Sequence, residues 1–260
     1  MKLRAALCAA ALSVVAGCAT QPASTEFKPD VSTMGEDSDA RNRARIHTEL
    51  AGGYFELGNL GVALEEVNEA LRADNTYGPA YNMSALIHAE LKEDRLAEQQ
   101  FERALRLNPV DSDANNNYGS FLCQRSREEE GIRHFLAALR NPLYQTPARS
   151  YINAGLCSRR RGDLASAEDY FEKALKARPN QPQALYQLAD IFYARGEYAP
   201  ARQYVLRLNQ MAPNPEALWL GLRVERKLGD RNAEASYAAQ LKRSFPGSRE
   251  ARALEAGQYE

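Results

Sequence analysis

The strongest constraint on this chain is a period. Between Ala148 and Gln181 two apolar stripes at helical spacing are separated by Gly162-Asp163 and closed by Pro179. The first stripe carries Tyr151, Ile152, Ala154 and Gly155; the second carries Ala167, Tyr170, Phe171, Ala174 and Leu175. Small residues stand where two helices must approach closely, and Phe171 fills the space between them. The same pattern recurs on both sides. Ala70, Ala104 and Ala138 are 34 residues apart, and Ala174 follows 36 further on. The two extra residues fall in the loop Asn141–Pro147, where Pro142 and Pro147 stop the flanking helices.

A helix–turn–helix unit of 34 residues is the tetratricopeptide (TPR) period. One unit cannot bury its own apolar face, so units must stack. The expected fold is all-α: a right-handed TPR superhelix of six repeats, about 44–77, 78–111, 112–145, 148–181, 182–215 and 216–248. Repeat one carries Leu50, Ala51, Tyr54 and Gly58, then Ala63, Val67, Ala70 and Leu71, with Asn75 where proline usually closes the unit. Repeat two has Phe101, repeat three Phe135 and repeat five Val205 at matching places; repeat six has its turn one residue short. Asp39 is the expected cap of the first helix. A short polar helix, about Arg249–Ala256, would close the stack.

Composition limits the function classes. The 260 residues carry 33 basic and 34 acidic side chains and a net charge of −1, which is no footprint for nucleic acid. No apolar run approaches the roughly 20 residues of a membrane-spanning helix. The N-terminus reads instead as an export signal, residues 1–17: Lys2 and Arg4, an apolar core from Ala5 to Ala16, then Val15-Ala16-Gly17 before Cys18. This end resembles the lipobox of bacterial lipoproteins, with Val15 in place of the usual leucine. In such proteins the cysteine thiol receives diacylglycerol and the new amino terminus is acylated, so Cys18 is the expected lipidation site. Ala19, where inner-membrane lipoproteins commonly carry Asp, favours the outer membrane. Residues 18–38 read as the lipidated cysteine and a flexible tether, rich in Pro, Ser, Thr and acidic residues. Its reach is roughly 25 Å. Residues 39–260 form the TPR domain.

The sequence offers little for catalysis. His47, His88 and His134 fall in different repeats with no Cys, Asp or Glu at ligand spacing, so no metal is expected. Gly52, Gly53, Gly58 and Gly61 follow no strand and cradle no phosphate; Gly58 is the turn between two helices. No nucleophile–base–orienter set is present. An enzyme, a cofactor and a small-molecule substrate are therefore not expected. Arg159, Arg160 and Arg161 read as a solvated face or a seat for an acidic segment.

What remains is binding surface. The first helix of each repeat lines the inner groove of such a stack. Alignment on the alanines puts Phe55, Asn82, Leu86, Asn116, Asn117, Ser120, Ile152, Asn153, Leu156, Tyr186, Asp190 and Tyr193 near it. Asparagine amides can pair with a peptide backbone, and Ile152 with Leu156, one turn apart, would form an apolar patch. Cys8 leaves with the signal and Cys18 carries lipid. Cys123 and Cys157, late in the first helices of repeats three and four, are either a disulfide of an oxidising compartment or two buried thiols that never meet.

Three segments are more specific than a generic repeat: Asn116-Asn117-Tyr118-Gly119-Ser120-Phe121-Leu122, Arg195 to Tyr204, and Ala235-Ser236-Tyr237 through Gln240-Leu241-Lys242-Arg243-Ser244-Phe245-Pro246-Gly247-Ser248. In these the chain resembles the type IV pilus biogenesis/stability lipoproteins, the PilW/PilF family. The resemblance implies an outer-membrane lipoprotein on the periplasmic face, a pilotin. Such a protein binds the secretin of the type IV pilus and promotes its localisation and multimer assembly, and so supports twitching motility. It also implies that Cys123 and Cys157 are bridged. The competing role is a TPR lipoprotein that scaffolds or activates envelope assembly enzymes, of peptidoglycan or of outer-membrane proteins.

Overall fold

The computed structural model describes residues 31–259. The signal segment, the lipidation site Cys18 and the tether up to residue 30 lie outside the described residues. Among the described residues there are thirteen helices and no strand: α1 Val31–Glu56, α2 Leu60–Ala73, α3 Gly78–Glu90, α4 Asp94–Leu107, α5 Ser112–Gln124, α6 Glu128–Ala138, α7 Pro147–Arg160, α8 Leu164–Ala177, α9 Pro182–Ala194, α10 Tyr198–Met211, α11 Pro215–Leu228, α12 Arg231–Ser244 and α13 Arg249–Glu255. Among the described residues no helix is long and apolar enough to cross a membrane. Successive helices pair as α1–α2 through α11–α12, and each pair stacks on the next, giving an all-α TPR solenoid.

The period is visible as a column of side chains. Phe101, Phe135 and Phe171, on α4, α6 and α8, are each almost fully buried, and Val67 and Val205 take the same place on α2 and α10. Burying a phenylalanine side chain contributes about 1.5–3 kcal/mol. The small residues opposite are obligatory: a Cβ added at Gly155 would stand 2.6 Å from the Phe171 ring, and one at Gly119 would stand 2.8 Å from both the Gly131 carbonyl and Phe135.

The turn inside each pair has one residue in the left-handed region. Glycine fills it at Gly58, Gly162, Gly196 and Gly229, while Lys92 and Ser126 adopt it at φ 64° and 59°. That conformation costs an L-residue energy, which the packed helices on either side offset. Prolines sit at the starts of α3, α7, α9 and α11, where the missing N–H has no partner to lose. Side chains of Asp111, Asp163, Asn214, Asp230 and Ser248 accept the N-terminal N–H groups of α5, α8, α11, α12 and α13.

Two expectations are corrected at the N-terminal end. Asp39 lies inside α1 rather than capping it, and residues 31–38, read as tether, are helical. No proline stands between Pro29 and Pro79, and a helix once nucleated extends at little cost. Leu50, read as an interior marker, is 46% exposed, since among the described residues no further repeat stacks on that side of α1. Ala51, Ala63, Val67 and Ala70 are buried as the period requires.

Candidate partner-binding groove

The first helices α1, α3, α5 and α7 touch one another in sequence, as do α9 and α11, so one face of the solenoid is a continuous wall of first helices. Along its middle runs a chain of amides. Asn117 Nδ2 donates to Asn82 Oδ1 at 3.3 Å, joining α5 to α3. Asn116 Oδ1 accepts from Ser150 Oγ at 2.9 Å and from Asn153 Nδ2 at 3.1 Å, joining α5 to α7. Asn153 Nδ2 also reaches Ser120 Oγ at 3.4 Å, and Ser120 Oγ donates to the backbone carbonyl of Asn116, not to its side chain, at 3.0 Å. The Tyr144 hydroxyl lies 3.1 Å from Ser150 Oγ.

The network brings Asn116, Asn117, Ser120 and Asn153 together, and also changes what they can do. Asn116 is only 3% exposed and its carbonyl is occupied twice. It is a staple between repeats three and four, not a group offered to a partner. A buried amide must be paired, and the neighbouring first helix supplies the partners. Ile152 is corrected too: at 6% exposure it sits in the main core cluster with Phe171, Leu188 and Ala189, so the expected Ile152–Leu156 patch reduces to the half-buried Leu156. Asn117, Ser120 and Asn153 remain partly exposed on the wall.

Two hollows flank this stripe. One, of ≈ 150 Å³, is lined by Phe55, Leu86, Asn117, Ser120 and Phe121 among others. The other, of ≈ 650 Å³, opens where the long α6–α7 loop meets α7 and the α8–α9 turn; Tyr144, Gln145, Asn153, Gln181 and Gln183 line it. The extra loop residues that break the 34-residue period thus build a polar concavity beside Asn153.

Beyond α7 the wall changes character. Arg159 bonds Gln187 and Asp190 and so ties α7 to α9. Arg160 Nη1 donates to the Cys123 carbonyl at 2.8 Å, and Arg161 pairs with Asp163 at 3.1 Å. Two members of the basic run, Arg159 and Arg161, are thus paired with carboxylates of the fold, while Arg160 is held by a backbone carbonyl. Tyr186 and Tyr193, on α9, form a patch separate from the amides. Burial, and secondarily Asp190 and Glu216, raise the Tyr186 hydroxyl above the usual range. Tyr193 packs at 5.5 Å against the Tyr198 ring and carries the Arg223 guanidinium at 4.5 Å.

Cys123 and Cys157 are bonded to each other, with Cα atoms 5.9 Å apart, so α5 and α7 are joined covalently as well as through amides. The histidines have local partners. His47 Nδ1 lies 2.7 Å from Glu66 Oε2, His88 Nδ1 lies 2.6 Å from Glu93 Oε2, and His134 Nδ1 lies 3.0 Å from Asn115 Oδ1. Burial, and secondarily Arg133, hold His134 below the usual imidazole range. Among the described residues no group of three or more His, Cys, Asp or Glu side chains could hold a metal ion.

One surface was misread in the sequence. Ile46, Leu50, Gly53 and Tyr54 on α1, with Leu57 in the turn that follows it, border an apolar hollow of ≈ 390 Å³, and Leu57 is 76% exposed. Its signal is the helical spacing of Ile46, Leu50 and Leu57, of which the repeat pattern uses only Leu50 as an interior marker.

Residues 85–145 and 159–223 each match a family model described as tetratricopeptide repeat. The chain is 34% identical to the type IV pilus assembly protein PilF of Pseudomonas aeruginosa over 98% of this chain and 99% of the relative. A solved structure of Pseudomonas aeruginosa PilF aligns with a TM-score of 0.74 and 35% identity, covering 86% of this chain and 99% of that one. The structure of PilW, described as a widely conserved type IV pilus biogenesis factor, aligns with a TM-score of 0.70 and 32% identity over 81% of this chain and 97% of that one. With such similarity along nearly its whole length, the chain belongs to the PilF/PilW family of type IV pilus TPR proteins.

Proposed function

We propose that this chain is the pilotin of a type IV pilus: an outer-membrane lipoprotein, anchored through Cys18 on the periplasmic face, whose concave wall binds the secretin and promotes its multimer assembly. The observation that carries this reading is the near-full-length identity with the Pseudomonas aeruginosa pilus assembly protein. The small residues before Cys18 and the partly exposed stripe of Asn117, Ser120, Asn153 and Leu156 support it.

The mechanism is physical rather than catalytic. Acyl chains supply membrane affinity at ~0.8 kcal/mol per buried methylene, and the groove supplies affinity for the partner. The segment between them couples the two, so a bound secretin subunit is held near the membrane at an effective concentration on the order of millimolar. The wall is stiffened by the disulfide and the amide chain, so little ordering cost falls on this side of the complex.

The test is complementation of a deletion strain, with secretin multimers in the outer membrane as the readout. Cys18→Ala should give a folded periplasmic protein that restores few multimers there. Leu156→Asp should remain lipidated and sorted yet lose secretin binding. Normal outer-membrane multimers with Cys18→Ala would refute the anchor. Normal binding by Leu156→Asp together with loss in Leu57→Asp would move the contact to the first repeat.

A further inference from the structure

The concave face ends in another hollow, of ≈ 690 Å³, between α9, α11 and α13. Tyr186, Trp219 and Arg223 line it from α9 and α11, and Arg249 and Arg252 line it from α13. Its size is that of pockets that enclose several side chains of a ligand. None of the three arginines has a carboxylate within ion-pair distance among the described residues, whereas Arg125, Arg127, Arg149 and Arg159 in the middle repeats are each held by one. Glu216 and Glu250 also line the hollow, in the first turns of α11 and α13, where helix N-termini favour them. The lining keeps an excess of positive charge.

Arg223 is the central group. Its guanidinium lies over the Tyr193 ring at 4.5 Å, and its Nε is shielded from solvent without an acceptor. A stacked guanidinium is held in one plane, so its remaining N–H edge can take a carboxylate as a fork with little further loss of freedom. A partly desolvated charge with no counter-ion gains more from such a pair than one in open water. The aromatic half of the surface is already in use at its rim. Tyr259 lies parallel to Trp219, with centroids 5.9 Å apart and planes at 10°, and Arg226 stands 3.8 Å from its ring. The chain's own tail thus packs an aromatic ring between tryptophan and arginine, and the hollow beside it stays open.

We propose that this hollow is a docking site for an acidic, aromatic-bearing peptide segment of a protein partner. Its carboxylates would pair with Arg223 and Arg252, and its apolar side chains would lie against Trp219 and Tyr186. Charge complementarity selects the occupant. Arg223, half-buried on the inner wall, is less open to a flat lipid surface than to a peptide that enters the hollow. The inference is independent of which protein the partner is and of the pilotin reading.

The experiment uses the full-length lipidated protein in neutral detergent and two labelled hexapeptides, one alternating Glu and Tyr, the other Gln and Tyr. Fluorescence anisotropy at low salt should show the acidic peptide binding roughly tenfold more tightly, with the difference shrinking as salt is added. Arg223→Gln and Arg252→Gln should each weaken it by roughly fivefold or more, with unchanged circular dichroism, while Arg149→Gln on α7 leaves it unaltered. Arg252 lies at the exposed end of the stack, so its substitution reports on binding even if Arg223→Gln disturbs the Tyr193 contact. Equal affinity for both peptides, no measurable binding, or acidic-peptide binding indifferent to both substitutions would overturn the proposal. So would arginine-dependent binding to phosphatidylglycerol vesicles without peptide binding.

Discussion

At the α5–α7 joint, polar side chains face one another; at the α9–α11–α13 end they face solvent. The first region has a disulfide, an amide chain from Asn82 to Asn153, and Arg125 and Arg149, each held by a carboxylate, with Arg160 held by a backbone carbonyl. The second has three arginines with no counter-ion among the described residues, around an open hollow. The backbone plan of the two is identical, since both are first helices stacked on small residues. The difference lies in where the hydrogen-bonding capacity is spent. A wall whose amides satisfy each other is stiff and presents few free donors. A wall whose guanidiniums are unpaired keeps its capacity for a ligand, and an anion placed there meets charge that the fold has not neutralised.

The largest test of this contrast is the disulfide. Its cysteines are 34 residues apart in sequence, so reduction, or Cys123→Ser with Cys157→Ser, should lower stability by roughly 3–4 kcal/mol on the chain-entropy estimate. Urea unfolding with and without reductant measures it. A midpoint that does not move would mean that the amide chain alone holds the joint.

A smaller effect is expected from Asn116→Ala. It leaves the Ser150 hydroxyl with one acceptor fewer and takes the shorter of the two acceptors from the Asn153 amide, inside a wall where Asn116 itself is 3% exposed. The cost should be about 1–3 kcal/mol, without change in binding of an acidic peptide at the far end. Coupled losses in stability and peptide binding would show that the two regions are one cooperative unit.

The smallest effect is the titration of His134, which bonds Asn115 behind the same joint and packs against Tyr118 with ring centres 4.5 Å apart and planes tilted by 49°. Its folded pKa lies below the ordinary 6.5 because burial disfavours the imidazolium. Well above 6.5 the ring is neutral in both states and costs nothing. As pH falls below 6.5 the unfolded chain takes up the proton first, so stability drops until the folded pKa is passed. His134→Gln should flatten the loss of stability that sets in as pH falls below about 6.5. An unchanged pH profile would put the sensitivity elsewhere.

Much of this was legible in the residues. The alanines at 34-residue spacing, the large apolar residue three places before each (Val67, Phe101, Phe135), and Pro142 and Pro147 around the long loop specify helix pairs and their order, because periodicity and helix punctuation are local properties. The segments from Asn116 to Leu122 and from Gln240 to Ser248 pointed to the family that the whole-chain similarity shows. Other features depended on what lies across the space between helices. Asn116 and Asn117 are neighbours in sequence and both polar, yet one is sealed between Ser150 and Asn153 while the other stays on the surface. Leu50 and Leu188 are equally apolar, but only Leu188 has a further repeat stacked over it.

The sequence by itself determined the repeating unit, the number of helix pairs and the residues that must be small, since these follow from helical spacing and side-chain volume within one unit. Only the tertiary structure decided which amides are consumed, which arginines are left unpaired and which leucines are uncovered. Those outcomes depend on the partner that each side chain meets from another repeat, roughly 34 residues away in the chain, and on whether the stack continues past that point or ends.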